Sequence, residues 1–480
     1  MRTYTFWLAL ATAAPVLAVP AQADLMGRSS ITPITTSGNA FFQGNRRFYI
    51  RGVNYAPGSG FGVVDPIANE ASCSRDIVEF KKLGINTIQI NAVDNTANHD
   101  ACMNAFAEAD IYVVLDVNTP KYALNAEDPA PSYNSVYLQN VFATIDMFAK
   151  YPNTLAFLSG ADADRYSTDA VVPYVKAVTR DMRQYIGSRG YRKIPVGYSV
   201  AQIPKYIEMA DYMNCGTPDE RSDFFAFENY SWCNPSSLAT SDWDNIFQNF
   251  TNYGIPIFMS GYGCFLNVQN FEEVAALYST EIITSVCSGG LVYGYSEEGR
   301  GNGLVIIDSP TAITELPSFL ALQAAYKATP NPRDNGRYNT TGGPSKCPTT
   351  SPTWKISSDA PLPAIPSAAA ELVRSGAGKG AGLSGSGSQD AGAAAAPSNG
   401  AVATTSPAEG SGMPLRLTDI SPLIIGMIVY LILNRNSAIW ASRQTSAHLL
   451  PLCDIDYLSI CGSVLYSYGV VVLWVLWRLA

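Results

Sequence analysis

Residues 86–116 read NTIQINAVDNTANHDACMNAFAEADIYVVLD, two short β-branched runs flanking one longer amphipathic segment. The run at 86–91 and the run at 111–116 are strand candidates, and 97–109 between them is a helix candidate, which makes one βα unit followed by the next strand. The pattern repeats outward in both directions. Strand candidates fall at 49–55, 154–159, 193–198, 223–230, 255–260 and 291–296. Helix candidates fall at 74–83, 135–150, 168–188, 201–210, 243–253, 271–286 and 315–327. Strict alternation of this kind predicts an α/β protein with a closed (β/α)8 TIM barrel. The competing architecture is an open doubly wound sheet, but no glycine-rich phosphate loop follows the first strand.

Composition divides the rest of the 480 residues. Residues 1–23 have the plan of an export signal: Arg2, an apolar stretch at 6–19, and small residues at Ala21 and Ala23. Pro15 and Pro20 interrupt it and weigh against a buried helix. The barrel is expected over 24–347. From 348 to 420 the chain turns rich in Ala, Gly, Ser and Pro, which predicts a flexible, disordered stalk. Residues 421–480 form a hydrophobic tail. An apolar run at 422–433 lies about ten positions after Ser411 and Gly412, the plan of a glycosylphosphatidylinositol (GPI) signal. A second run at 460–479 offers a membrane segment or a later signal instead; a third reading ends the true chain near 434. Membrane attachment is expected in either of the first two cases.

The net charge of −9 argues against a nucleic-acid partner. Only His99 and His448 supply imidazole, so a histidine metal centre or a Ser-His-Asp triad is not expected, and the sequence calls for no metal or cofactor. Nine cysteines in an exported chain suggest disulfides. Seven precede the stalk, an odd number that leaves one thiol over. Glycosylation triplets begin at Asn229, Asn249 and Asn339.

Several ordered motifs carry a family resemblance: RGVNY at 51–55, AVD at 92–94, HDACM at 99–103, TPKY at 119–122 and YRKIPVGYS at 191–199. YSWC at 230–233, GC at 263–264 and GGLVY at 289–293 continue the series. Over roughly residues 31–347 the chain resembles glycoside hydrolase family 72, the fungal β-1,3-glucanosyltransferases. The resemblance implies a wall enzyme, exported and anchored at the outer leaflet of the plasma membrane. Such an enzyme cleaves internal β-1,3-glucan linkages and passes the fragment to another glucan chain. The resemblance also implies bridges Cys73–Cys102, Cys215–Cys347 and Cys233–Cys264, with Cys287 as the free thiol. The cysteine-rich carbohydrate module of some members is absent after the barrel.

Retaining glycosyl transfer needs two carboxyl groups about 5 Å apart, one nucleophile and one acid/base. In the family these follow strands four and seven. The fourth-strand motif Ser-Gly-Asn-Glu reads Ser159-Gly160-Ala161-Asp162 here, and the seventh-strand motif Ser-Glu-Tyr-Gly-Cys reads Ser260-Gly261-Tyr262-Gly263-Cys264. Gly261 has no side chain to form a covalent intermediate. Asp162 is a methylene shorter than the acid/base it replaces, and Ala161 lacks the amide that binds the reacting sugar. Ala56, Gln89 and Asn91 stand where the family has Gln, Arg and Tyr. The expectation is a pseudoenzyme that keeps a glucan cleft. By resemblance, that cleft is lined by Tyr55, Tyr122, Ala161, Tyr230, Tyr262, Tyr293, Tyr295 and Glu298. The alternative is an active enzyme with a relocated carboxylate: Glu228 foremost, with Asp164 and Glu298 as further candidates. A third reading is a structural surface protein without affinity for glucan.

Overall fold

The computed structural model describes residues 31–391 except 59–61, 161–168, 203, 234, 266–268 and 390. Three strands come first, β1 (Ile34–Ser37), β2 (Ala40–Gln43) and β3 (Arg46–Phe48), paired as an antiparallel sheet. Eight parallel strands then close into a barrel. They are β4 (Ile50–Asn54), β5 (Thr87–Ile90), β6 (Tyr112–Asp116), β7 (Thr154–Leu158), β8 (Val196–Val200), β9 (Phe224–Asn229), β10 (Ile257–Tyr262) and β11 (Cys287–Val292). Closure is made by β11 against β4, with Leu291 opposite Gly52. A hairpin of β12 (Val305–Ser309) and β13 (Ala312–Glu315) follows.

The barrel strands are buried on both faces, which is why they read as apolar runs rather than as alternations. Ile50, Val114, Ala156, Phe224, Phe258 and Leu291 fill the interior. Phe41 from β2 completes that packing, its ring 5.9 Å from Phe224 and 6.1 Å from Phe258. Phe224 and Phe258 lie at the starts of their strands, so the first sheet plugs the N-terminal mouth. Only the C-terminal mouth is left to hold a site.

Helices α1 (Glu70–Leu83), α2 (Asp100–Glu108), α3 (Pro129–Ser132), α4 (Ser135–Phe148), α5 (Val172–Ser188) and α6 (Tyr206–Met213) belong to the outer layer. So do α7 (Trp243–Asn249), α8 (Glu273–Ser279), α9 (Glu281–Val286) and α10 (Pro317–Ala328). Local chemistry sets several ends. Asn69 and Asn134 accept backbone N–H bonds at the starts of α1 and α4. The single helix expected at 271–286 divides at Thr280, whose extended backbone (ψ 121°) separates α8 from α9. The last barrel strand, expected at 291–296, begins earlier, at Cys287, and takes in Gly289. A Cβ there would lie 2.1 Å from the Ile50 carbonyl and 2.8 Å from the Tyr278 ring, so only glycine lets β11 approach β4 this closely.

The bridges Cys73–Cys102, Cys215–Cys347 and Cys233–Cys264 are formed. Cys287 is buried and free, and burial pushes its thiol up to about 12.

The flexible stalk expected from residue 348 does not begin there. Trp354 is fully buried against Tyr212. Helix α11 (Ser367–Ser375) packs on α4 and α5 with Ala369 buried. Beyond it the chain is tied to the barrel by the Ala377 N–H to Tyr185, the Gly382 N–H to Asn95, and the Ser388 N–H to the Lys121 carbonyl. Richness in Ala, Gly, Ser and Pro does not by itself keep a segment from packing. Backbone hydrogen bonds and small side chains, rather than bulky apolar ones, hold this strap down. The expected signal at 1–23 and the apolar runs at 422–433 and 460–479 lie outside the described residues. No described helix is long and apolar enough to cross a membrane.

Candidate functional site

The C-terminal ends of β9, β10 and β11 carry one side of the open mouth. At the tip of β10, Gly261 pairs with Glu228 of β9 across a register shift. A Cβ built on Gly261 would lie 2.2 Å from the Tyr230 hydroxyl oxygen and 3.4 Å from Glu228 Cγ. The space a side chain at 261 would enter is therefore occupied by Tyr230. Beneath it the Ser199 hydroxyl donates to Ser260 at 2.7 Å.

Tyr230 belongs to a cluster of three aromatic rings. Its centroid is 4.3 Å from Phe265 and 5.9 Å from Tyr293, and Phe265 is 5.3 Å from Tyr293. Tyr230 and Tyr293 are half-buried, whereas Phe265 is 47 % exposed. The loops carrying Tyr230 and Phe265 are stapled together by Cys233–Cys264. The Tyr230 N–H donates to Gln202, and Arg300 donates to the Tyr293 hydroxyl at 3.0 Å. A wet, anchored aromatic face of this kind offers a stacking surface for the C–H face of a ring. The sequence reading named Tyr230 and Tyr293 but missed Phe265, whose only signal was its position directly after Cys264.

Four other tyrosines expected in the cleft are buried and hydrogen-bonded into the fold. Tyr55 is fully buried and donates to Asp76 at 2.6 Å, and Tyr295 donates to the other oxygen of Asp76 at 3.0 Å. Together they pin β4 and the end of β11 to α1, and burial beside that carboxylate raises both phenols far above their ordinary value. Tyr262 is buried behind β10, its hydroxyl 2.9 Å from that of Tyr326. Tyr122 lies under the C-terminal strap and accepts from the Gly387 N–H. Tyr55 and Tyr295 nevertheless border cavities at the mouth.

Glu298 is half-buried and accepts from the Gly58 N–H at 2.9 Å and the Ser296 hydroxyl at 2.6 Å. It clasps the loop after β11 to the loop after β4. Asp162, Ala161 and Asp164 lie outside the described residues; Gly160, at the end of β7, is the last one before them. Glu228 is half-buried at the mouth. Asn229 is buried, and its side-chain oxygen accepts from Ser231 and from Trp243. That burial argues against a glycan on Asn229, while Asn249 lies on the surface and Asn339 is half-buried.

The other side of the mouth, over β4, β5 and β6, opens into a cavity of about 460 Å³. Its polar residues are Asn91, Asp116, Asn118 and Thr119; its walls are mostly aliphatic. Asn91 is 3.4 Å from Asn54 and from Gln89, a loose amide cluster at the floor. Among the described residues no group of His, Cys, Asp and Glu is arranged to hold a metal ion.

This chain is matched over residues 24–330 by the family model described as glucanosyltransferase. It is 56 % identical over 377 residues to 1,3-beta-glucanosyltransferase gel1 of Aspergillus fumigatus, covering 78 % of this chain and 82 % of the relative. It is 45 % identical over 366 residues to 1,3-beta-glucanosyltransferase GAS5 of Saccharomyces cerevisiae, covering 75 % of each. Among solved structures it is similar to a mutant of Saccharomyces cerevisiae Gas2p in complex with laminaritetraose and laminaripentaose. The TM-score is 0.64 at 33 % identity, covering 70 % of this chain and 75 % of that one.

Proposed function

This chain belongs to the glucanosyltransferase family, and from that premise we propose that it is an exported β-1,3-glucan-binding protein of the cell surface with little or no transferase activity. One observation carries the reading. The tip of β10, where a nucleophile would stand, holds Gly261, and the Tyr230 hydroxyl lies 2.2 Å from the point a side chain would start. Loss of a nucleophile alone lowers turnover by several orders of magnitude. The Tyr230–Phe265–Tyr293 face, with its disulfide staple, supports retained binding. Anchoring at the membrane through the tail belongs to the same proposal.

A second reading has a specific observation behind it. Glu228 Cγ lies 3.4 Å from the same point, so a carboxylate reaches the region from the neighbouring strand. Incubating the purified protein with reduced laminari-oligosaccharides separates the readings. The expected result is no elongated or shortened chains, together with calorimetric binding that Tyr230→Ala weakens at least tenfold. Elongated products that vanish in Glu228→Gln would install the second reading. Neither transfer nor binding would leave a structural surface protein.

A further inference from the structure

We propose that the Cys215–Cys347 bridge is a site of thiol–disulfide exchange, at which a small external thiol attacks the Cys347 sulfur and the Cys215 sulfur leaves beside the Lys176 ammonium. Neither glucan binding nor transfer is needed for it.

Lys176, on α5, supplies the first observation. It is 3 % exposed, and its nitrogen meets a complete set of acceptors just past the end of α6. It donates to the Tyr212 carbonyl at 2.7 Å, to the Cys215 carbonyl at 2.8 Å and to the Cys215 Sγ at 3.6 Å. The same nitrogen lies 4.4 Å from the centre of the Tyr212 ring. Burial lowers its pKa to about 8, with Glu220 opposing the shift and Arg221 adding to it. At neutral pH the group is therefore mostly charged. Burial alone would make Cys215 a poor leaving group. A cation held against its sulfur in the same low-dielectric surroundings offsets that by favouring the thiolate. The lower the pKa of the leaving thiol, the faster the exchange.

The unequal exposure of the two cysteines supplies the second observation. Cys215 is fully buried, whereas Cys347 is half-buried. An approaching thiolate therefore meets Cys347. A bond forms between the external sulfur and the Cys347 Sγ as the bridge breaks, and the electron pair of the broken bond stays on Cys215 as a thiolate. With a dithiol, the second sulfur of the reagent then displaces Cys347 as a thiolate and closes a cyclic disulfide. The attacker comes from outside, because the free thiol among the described residues, Cys287, is buried and pushed up to about 12. Cys73 and Cys102 are both buried, while Cys233–Cys264 has one half-buried end, Cys233, and so controls for exposure. Asn214, fully buried beside Cys215, holds the two chain segments together independently of the bridge. Its Nδ2 donates to the Gly343 carbonyl at 3.1 Å and to the Ser345 hydroxyl at 3.2 Å, and its carbonyl accepts from the Ser345 N–H at 3.1 Å. The sulfurs thus stay neighbours when the bridge opens, which makes the opening reversible.

The test treats the purified protein, without denaturant, with dithiothreitol, alkylates the thiols released at successive times and maps them by peptide mass spectrometry. At pH 7 Cys215 and Cys347 are expected to be released about tenfold faster than Cys233 and Cys264, or more, while Cys73 and Cys102 stay intact. The ratio of the two rates, in which ionisation of the reagent cancels, is expected to fall severalfold between about pH 7 and pH 9.5 as Lys176 loses its proton. Tyr212, Glu220 and Arg221 face Lys176; burial pushes the Tyr212 phenol up to about 12, which leaves Lys176 as the group that titrates in this window. Lys176→Met removes the cation and is expected to bring the rate down to that of Cys233–Cys264, whereas Lys176→Arg, which keeps it, is expected to retain most of the preference. Where Lys176→Met does not fold, the pH dependence of the parent decides. Equal rates for the two bridges in the parent, or a ratio indifferent to pH, would overturn the proposal. So would an undiminished preference in folded Lys176→Met, or loss of the near-ultraviolet circular dichroism as the bridge opens.

Discussion

At the scale of single residues, the exchange at 261 has two halves, and only one was legible in the sequence. Gly261 stands inside a recognisable motif, so the absence of a side chain where the resemblance places a nucleophile could be read directly. That Tyr230 fills the vacated volume could not, since a side-chain rotamer is set by neighbours distant in sequence. The same limit explains Tyr55, Tyr122 and Tyr262. An aromatic at a strand end points either to the mouth or to the helices, and the partners that decide it (Asp76, the Gly387 N–H and Tyr326) lie 21 to 265 residues away. Restoring the carboxylate alone is therefore expected to fail. In Gly261→Glu the new Cβ collides with the Tyr230 hydroxyl, and overpacking of this kind costs about 1–3 kcal/mol. The variant is expected to show lower thermal stability, weaker laminari-oligosaccharide binding because Tyr230 leaves its place beside Phe265, and no elongated products. The double variant Gly261→Glu, Tyr230→Phe, which removes the colliding oxygen, is expected to recover most of the stability. Measurable transfer by the single variant would show that the mouth is far more adaptable than its packing indicates.

Among the elements, the barrel strands were the most legible part of the chain, because burial on both faces leaves an unbroken apolar run that loops and surface helices do not imitate. The plug sheet β1–β3 was not. Its strands are three or four residues long, and only the first alternates exposure. The break between α8 and α9 was missed for a related reason: nothing at Thr280 forbids a helix, and the packing of two short segments decides it. Helix α8 carries a titratable consequence. Glu273 sits in its first turn, 2 % exposed, and burial raises its carboxyl to about 7 from an ordinary 4.5. The folded chain thus holds this proton where the unfolded chain has released it. The contribution of Glu273 is most favourable to folding below about pH 4.5, declines between about 4.5 and 7, and is constant above that. Its full span is about 3 kcal/mol. Glu273→Gln carries no such titration. Urea denaturation of parent and variant at pH 5 and pH 8 is expected to show a steeper loss of stability in the parent, by about 1–3 kcal/mol. Parallel pH profiles for the two would mean that Glu273 ionises in the folded state as it does in water.

For the whole molecule, the boundary between folded and unfolded chain is the feature that composition misplaced. The stretch from 376 to 389, rich in Gly, Ser and Ala, has the composition of a linker, yet it is fitted to the surface it crosses. A Cβ on Gly385 would lie 2.0 Å from the Tyr122 hydroxyl, and one on Gly380 would lie 2.0 Å from the side-chain oxygen of Asn95. Here glycine is required by contact, not tolerated for flexibility, and composition cannot distinguish the two. The strap also accepts from Lys121 at the Gly385 carbonyl, while Gln389 donates to the Ala123 carbonyl. It therefore clamps the 119–124 loop, which forms one wall of the cavity. Gly385→Val places a branched side chain against the Tyr122 hydroxyl and is expected to lift the strap. Its signature is faster trypsin cleavage after Lys379, together with a stability loss of about 1–3 kcal/mol. Ser386→Ala, at an exposed neighbour, is the matched control and is expected to change neither. If Gly385→Val were cleaved at the parent's rate and melted at the parent's temperature, the strap would be an incidental resting place for the chain. If both change, the folded unit extends well beyond the last disulfide, and any shortened form ending at Cys347 would lack the strap that clamps one wall of its own mouth.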